Sequence, residues 1–250
     1  MAGHSHSKNI KHKKDAADAR RGKVFSKLSR LIMVAARRGG GDPDMNLRLR
    51  YAIDKARAAN MPWDSIDRAI KKGTGELEGG QLEEVLYEGY GPGGVAVLCE
   101  VLTDNRHRTA GEVRKTFEVH GGKMGTAGCV AWMFKAKGVF VVEAKFVEED
   151  RLLEVSLDAG AEDVRRSDDM FEVICDPAQF QSVMKALEAA RIATVSADLT
   201  QLPSTWVDLD PDTGKKMLQL IDALDDMDDI QEVHSNSNIP DSVLAAARSG

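Results

Sequence analysis

The fold is decided by residues 139–175, which read VFVVEAKFVEEDRLLEVSLDAGAEDVRRSDDMFEVIC. The apolar run Val139–Glu143 has the β-branched and aromatic content that is typical of a strand. The segment Glu148–Asp158 then predicts a helix, because its first turn is acidic and Gly160 lies just beyond its end. This part of the chain therefore alternates between strand and helix.

Four further elements complete a unit around this helix. The sequence predicts them as a strand at Glu162–Arg166, a strand at Phe171–Cys175, a helix from Asp176-Pro177 to Ala190 and a strand at Thr194–Leu199. The resulting order β-α-β-β-α-β is that of a ferredoxin-like unit.

Segments on both sides of this unit predict a second one of the same type. Before it we expect a strand at Val95–Leu102, a helix opened by the capping box Thr109–Glu112 and ending near His120, and a strand at Ala127–Phe134. After it we expect a strand at Thr205–Leu209, a helix at Asp212–Leu224 and a strand at Ile230–His234. We therefore predict that residues 135–203 are inserted within a domain formed by 80–134 plus 204–240. Consecutive, non-nested domains are the alternative.

Residues 1–79 predict a basic helical domain with a flexible N-terminal tail. A first helix has the apolar spacing of a buried stripe at Val24, Leu28, Leu31, Ile32 and Ala35, and it ends at Gly39-Gly40-Gly41. A second helix begins at Asp42-Pro43, with Asp42 as its cap, and buries Leu49, Ala52, Ile53 and Ala56. A third begins at Pro62, aligns Trp63, Ile66 and Ile70, and ends at Gly73. The predicted fold class is thus α+β, an N-terminal three-helix domain followed by two ferredoxin-like α/β domains, the third inserted in the second.

Charge is divided unevenly along the chain. Residues 1–76 contain 18 Lys+Arg and 8 Asp+Glu, a formal charge of +10, whereas the remaining 174 residues contain 16 basic and 32 acidic residues, a formal charge of −16. Cationic side chains gain affinity for nucleic acids by displacing condensed counterions. The division therefore predicts that the N-terminal domain binds nucleic acid and that the acidic remainder repels it or binds basic proteins.

Several other classes of protein are disfavoured. The cysteines Cys99, Cys129 and Cys175 are far apart and odd in number, which argues against a disulfide framework and favours the cytoplasm. No apolar run is long enough to span a membrane. The series Asp208-x-Asp210-x-Asp212 lacks the glycine and glutamate positions of a calcium loop, and the glycine-rich segment 120–125 lacks the Walker spacing. We therefore expect no catalytic residues, cofactor or structural metal. If Met1 is removed, the free amine, two amides and the imidazole of Ala2-Gly3-His4 form a square-planar nitrogen site that would trap Cu(II) or Ni(II) fortuitously.

Long motifs resemble one family of proteins. The similar stretches are MAGHS at 1–5, NIKHKKDAADARRGK at 9–23, AARRGGGDPDMNLRLRYAIDKARAANMP at 35–62, RAIKKGTGE at 68–76, YEGYGPGGVAV at 87–97, TDNRHRTAGEVR at 103–114 and HGGKMGTAG at 120–128. In these motifs the chain resembles the YebC/PmpR family, which includes a mitochondrial translational activator. The resemblance implies a helical domain followed by two α/β domains, with the third inserted in the second. It also implies a regulator without catalytic activity, acting either as a DNA-binding transcriptional regulator or as a translation factor on ribosomes.

The residues predicted to contact nucleic acid are the cations of the tail and of the first helix, together with two arginines of a polar turn in the acidic region. They are Lys8, Lys11, His12, Lys13, Lys14, Arg20, Arg21, Lys23, Lys27, Arg30, Arg37, Arg38, Arg106 and Arg108. For the two turn arginines a purely structural role is equally consistent with the sequence.

The partner predicted from these residues is DNA or ribosomal RNA, with the ribosome as the larger assembly in the second case. No helix presents a set of side chains suited to reading base edges, so the sequence does not separate the two. A metal-dependent nuclease and a protein-assembly scaffold are the other hypotheses. The dense acidic run between Asp222 and Asp229 is open to three interpretations: a solvated face, a surface that repels nucleic acid, or one that attracts a basic partner.

Overall fold

The structure, a computed structural model, describes residues 21–167 and 169–248. The described chain forms two compact units, one made of residues 21–129 and 215–233 and the other of residues 130–214 and 234–248. Within those described ranges, no helix is both long and apolar enough to cross a bilayer.

The first unit begins with three helices, α1 (Arg21–Gly39), α2 (Leu47–Ala58) and α3 (Trp63–Thr74). Their core is built from small and branched apolar side chains, including the predicted face of α2: Ile32, Ala35, Ala36, Leu49, Ala52, Ile53, Ala56 and Ile66. Gly73 lies inside α3 at the contact with α1, where a Cβ would stand 2.5 Å from the carbonyl oxygen of Met33. The absence of a side chain at Gly73 therefore allows the two helices to approach closely.

The ends of these helices differ from the prediction. Asp42 does not cap α2, because its side chain accepts from the backbone N–H of Asp44 in the preceding turn. The cap is Asn46, whose Oδ1 accepts from the N–H of Leu49 and whose Nδ2 donates to the carbonyls of Ala35 and Gly40. One buried amide thus begins α2 and fixes the end of α1.

The helix α3 begins after Pro62, as predicted, but ends later than predicted. It continues past Gly73 to Thr74, and Gly75 follows in the left-handed conformation, with φ of 87°. Trp63, predicted to align with the apolar face, stands 59% exposed at the start of the helix. The buried face of α3 is formed by Ile66, as predicted, together with Ala69 and Gly73, and Ile70 packs partly buried against the same core.

The first sheet belongs mainly to the first unit and has the strand order β3-β1-β2-β9. Its strands are β1 (Glu83–Tyr90), β2 (Ala96–Thr103), β3 (Lys123–Met124) and β9 (Ile230–Ser235), and the helices α4 (Arg106–Val119) and α7 (Pro211–Asp225) connect or precede them. β1 pairs antiparallel with β2 and with β3. The strand β1 is not evident from the sequence, because its first half is largely polar and exposed and it carries a buried glutamate, Glu88.

Two further expectations in this region are wrong. The strand predicted at Ala127–Phe134 is absent from the described chain, which has a turn and a short 3₁₀ segment there before a strand begins at Phe134. Thr109 is not the cap of α4, since Asn105 accepts from the N–H of Arg108 and the helix begins three residues earlier. Thr109 is instead buried inside the helix.

The second sheet has the order β5-β6-β4-β7, which is the strand order of a ferredoxin-like unit. Its elements, in chain order, are β4 (Phe134–Glu143), α5 (Glu149–Asp158), β5 (Ala161–Ser167), β6 (Met170–Cys175), α6 (Phe180–Ala189) and β7 (Ser196–Pro203). All three strand pairs are antiparallel. The order predicted from residues 139–199 is confirmed.

The chain returns to the first sheet after passing through the second. A two-stranded parallel pair, β8 (Val207–Asp208) with β10 (Ser237–Asn238), and a last helix, α8 (Asp241–Arg248), complete the described elements. The protein is thus α+β, with three N-terminal helices followed by sheets, as predicted. The boundaries proposed for the three domains stay a prediction.

Candidate nucleic-acid interface

The basic residues of α1 fall into two groups that make different contacts. Lys23, Lys27 and Arg30 are spaced four and three residues apart, so they share one face of the helix. We call them the basic stripe. Arg37 and Arg38 lie in the last turn of α1, where cations complement the negative end of the helix dipole.

The basic stripe contacts residues 225–229, which we call the acidic segment. The Lys23 ammonium lies 3.1 Å from a carboxylate oxygen of Asp226 and donates to the Asp226 carbonyl. The Lys27 ammonium donates to the carbonyl of Asp225 at 2.6 Å. The acidic run noted in the sequence is therefore, in part, an intramolecular partner of α1.

Arg30 completes this contact at a buried carboxylate. Its guanidinium donates to the Asp228 carbonyl at 2.7 Å and to Oδ1 of Asp229 at 2.5 Å. Oδ2 of Asp229 accepts from Thr103, Thr109 and Arg108 at 2.9, 2.6 and 3.0 Å. Both carboxylate oxygens of Asp229 are thus satisfied by charged or hydroxyl donors.

The pKa of Asp229 reflects this environment. Burial raises it, but the hydrogen bonds from Thr109, Arg108, Thr103 and Arg30 outweigh burial and lower the pKa from 3.8 to about 2. The carboxylate therefore stays ionised in the folded protein at neutral pH. The hydrogen bond between Arg108 and Asp229 also raises the pKa of the Arg108 guanidinium, and the hydrogen bond between Arg108 and Asp104 raises it further.

Arg37, Arg38 and Arg48 form a second group, which we call the arginine cluster. Arg38 and Arg48 both contact Oε1 of Glu84, at 3.2 and 3.0 Å, and Arg37 donates to the carbonyl of Gly80 at 2.9 Å. The side chains of Arg38 and Arg48 remain 61% and 43% exposed. Two guanidinium groups on one carboxylate leave this surface with excess positive charge.

The two arginines predicted in the polar turn lie in different environments. The Arg108 guanidinium forms ion pairs with the carboxylates of Asp104 and Asp229. Arg106 begins α4 with an exposed side chain, and its carbonyl accepts from the Tyr87 hydroxyl at 3.0 Å. The structure therefore gives Arg108 an internal structural contact and leaves the Arg106 guanidinium at the surface.

The remaining predicted residues cannot be compared with the structure. Lys8, Lys11, His12, Lys13, Lys14 and Arg20 lie outside the described residues, as does Ala2-Gly3-His4, and α1 starts at Arg21, whose side chain is likewise not described. Nucleic-acid contact by the predicted set stays a prediction.

Sequence reasoning missed Arg48. It stands in the second helix, ten residues beyond Arg38, and the two meet only because Glu84 of β1 reaches both. The alternation Arg48-Leu49-Arg50 within the NLRLR motif is a weak signal of a helix with one buried and two basic positions. Arg50, however, turns back to Asp44 and to the carbonyl of Pro43.

Potential metal ligands do not cluster in the described part of the chain: within residues 21–167 and 169–248, no group of three His, Cys, Asp or Glu side chains could hold a metal ion. In the rejected calcium series, Asp210 accepts from the Thr213 hydroxyl and from the N–H groups of Asp212 and Thr213. These hydrogen bonds, of which the one from the Thr213 hydroxyl has the largest effect, lower the pKa of Asp210. They also show that the Asp210 carboxylate caps the first turn of α7.

Comparison with known proteins agrees with the sequence motifs. A family model described as the TACO1/YebC protein N-terminal domain matches residues 5–76, and one described as the TACO1/YebC second and third domain matches residues 82–237. A "probable transcriptional regulatory protein" of Desulfosudis oleivorans is 57% identical over 97% of this chain and 99% of its own length. One of Geobacter sulfurreducens is 56% identical over 96% of each chain.

A solved structure extends the comparison to the fold. The crystal structure of a conserved hypothetical protein from Aquifex aeolicus superposes with a TM-score of 0.80 at 48% identity, covering 90% of this chain and 93% of that one. With both family models matched in order along the chain, and with relatives aligned over nearly their whole length, this protein belongs to the TACO1/YebC family.

Proposed function

We propose that the protein is a non-enzymatic regulator of gene expression that binds nucleic acid through its N-terminal helical domain, as a DNA-binding transcriptional regulator. The names of its relatives support a regulatory role. The three cysteines are thiols rather than disulfides, which supports a reducing compartment such as the cytoplasm.

The observation that carries the proposal is the arginine cluster. Arg38 and Arg48 share a single carboxylate oxygen, so their guanidinium groups retain donors and net charge for a second acceptor. Guanidinium is planar, always charged and suited to bidentate binding of phosphate. A phosphodiester backbone supplies that acceptor, and the basic tail that precedes α1 in the sequence extends the same charge.

Apolar side chains accompany these cations on the same domain. Met45 and Leu47 flank the cap of α2 and are 83% and 66% exposed, and Trp63 is exposed at the start of α3. Exposed apolar groups on a domain that also carries exposed arginines suit contact with sugars and bases as well as phosphates.

The test is a pair of matched double variants. In Arg38→Ala/Arg48→Ala the cluster loses two charges, and in Arg165→Ala/Arg166→Ala the strand β5 loses two arginines that are also exposed and also paired with carboxylates. Binding of a fluorescent duplex DNA at low salt is measured by anisotropy. We expect the cluster variant to bind roughly tenfold more weakly and the control to bind like the wild type.

A second ligand separates the two classes of target. A structured RNA with the same number of phosphates, measured in parallel, reports binding by shape and backbone rather than by the DNA grooves. Preference for the duplex DNA supports a transcriptional regulator. Preference for the RNA, with the same loss in the cluster variant, would keep the interface and replace DNA by RNA as its target.

A further inference from the structure

The basic stripe already has oxygen partners inside the molecule. The acidic segment presents two kinds of acceptor to it: the carboxylates of Asp225, Asp226 and Asp229, and the carbonyls of Asp225, Asp226 and Asp228. Asp225 is the last residue of α7 and the other residues follow it, at the end where the helix dipole is negative. The stripe is thus neutralised by the same type of anionic oxygen surface that a phosphodiester backbone would offer.

The contact has an exposed end and a buried end. At the exposed end, Lys23 and Asp226 keep 45% and 38% of their side-chain surface in water. At the buried end, Arg30 binds Asp229, which is only 6% exposed. Exposed ion pairs are weak and are screened by salt, whereas a buried, fully hydrogen-bonded pair is costly to break. Exchange of partners is therefore expected at Lys23. It is not expected at Arg30 or at Lys27, whose side chain is only 18% exposed.

We propose that the acidic segment is an intramolecular competitor for nucleic acid. In the closed state the Lys23 ammonium binds Asp226. In the open state the same ammonium binds a phosphate, while Lys27 and the pair Arg30 and Asp229 hold α1 in place. This inference rests on the proposed function, and it adds a restraint on nucleic-acid affinity that is built into the fold.

If Asp226 competes with phosphate for Lys23, removing its carboxylate should raise the affinity for nucleic acid by more than the change in net charge alone. Asp228 provides the matched control, because it lies in the same segment with an exposed side chain, and only its carbonyl takes part in the contact with Arg30. The substitutions Asp226→Lys and Asp228→Lys change the net charge equally. Only the first removes the carboxylate that faces Lys23.

We expect the D226K protein to bind duplex DNA about three- to tenfold more tightly than the D228K protein at the same salt concentration. The slope of log K against log salt should also be steeper for D226K, by about 0.9 for the one phosphate that Lys23 gains. The milder pair D226N and D228N repeats the comparison, with a smaller difference, if charge reversal disturbs folding.

A double-mutant cycle identifies the lysine. Lys23→Ala should have little effect in the wild type, where Lys23 is occupied, and should abolish the gain in the D226K background. Equal affinities for D226K and D228K, or a gain that survives Lys23→Ala, would overturn the inference while leaving the proposed function intact. Failure of every variant and of the wild type to bind DNA or RNA at low salt would overturn the proposed function, and the inference with it.

Discussion

The guanidinium of Arg30 in α1 lies 2.5 Å from Oδ1 of Asp229, a carboxylate 199 residues later in the chain. Asp229 is almost fully buried, and its other oxygen accepts from Thr103, Thr109 and Arg108. This pair connects the first helix to the end of the acidic segment.

Replacing Asp229 by Asn should destabilise the protein. The amide keeps one oxygen, but its NH₂ group faces donors that need an acceptor, and Arg30 and Arg108 lose their counterion. Hydrogen bonds to charged groups contribute more than neutral ones, so we expect a loss of about 2–3 kcal/mol in the free energy of unfolding. Urea denaturation measures it. The exposed neighbour Asp228→Asn should change the free energy by less than about 0.5 kcal/mol, and equal losses at both positions would contradict this account.

The stability should also depend on pH through Asp229. Because the folded pKa of about 2 lies below the ordinary value of 3.8, acidification protonates the unfolded chain first. The stabilisation by this carboxylate is therefore complete above its unfolded pKa and is lost as the pH falls from about 4 towards 2. Unfolding free energies of the wild type and Asp229→Asn, measured across this interval, should converge at the acidic end. Parallel curves would mean that Asp229 is not the group responsible.

Two helical glycines should respond in opposite ways to alanine. At Gly73 a Cβ would stand 2.5 Å from the carbonyl of Met33 and 2.7 Å from Cβ of Ala36, so Gly73→Ala should destabilise the bundle despite its better helix propensity. At Gly111 in α4 nothing lies within 4 Å of the added Cβ, and Gly111→Ala should stabilise by up to about 1 kcal/mol. Thermal unfolding of the two variants tests the contrast, and stabilisation by both would show that α1 and α3 are less closely packed.

The cap of α2 can be tested by comparing two neighbouring side chains. Asn46→Ala removes the cap and the donors to the carbonyls of Ala35 and Gly40, with an expected cost of about 1–3 kcal/mol. Asp42→Ala removes only an exposed bond to the N–H of Asp44, and should cost less than about 0.5 kcal/mol. Chemical denaturation distinguishes them. The reverse order would restore Asp42 as the cap.

Buried faces and the order of elements can be predicted from this sequence more reliably than helix caps. Apolar spacing predicted the buried face of α2, because burial there follows the helix period directly. Apolar runs and helix-end signals predicted the order of strands and helices that form the second sheet, although its strand β6 is buried at every position. Caps were mispredicted at Asp42 and Thr109, since several polar side chains lay near each helix start. Contacts made elsewhere in the fold determined which one caps: Asn46 binds the end of α1, and Thr109 binds Asp229.

The sequence predicts that the candidate interface is positively charged, but it does not predict which partners its basic side chains contact. The basic character of α1 is plain in the sequence. The cations of α1 divide into two groups: the basic stripe contacts the acidic segment, and Arg37 and Arg38 belong to the arginine cluster. This division depends on Asp226, Asp229 and Glu84, which lie far along the chain. β1, which contributes Glu84, was missed because its exposed glutamates obscure strand alternation. Long-range ion pairs have no local signal in a single sequence.

The central claim, that cations of the helical domain bind nucleic acid, is tested most directly by the salt dependence of DNA binding. For about six neutralised phosphates, the slope of log K against log salt should be near −5. It should fall in magnitude by about 2 in Arg38→Ala/Arg48→Ala, and further when Lys11, Lys13, Lys14, Arg20 and Arg21 become Ala. A slope that stays the same in both variants would contradict the claim.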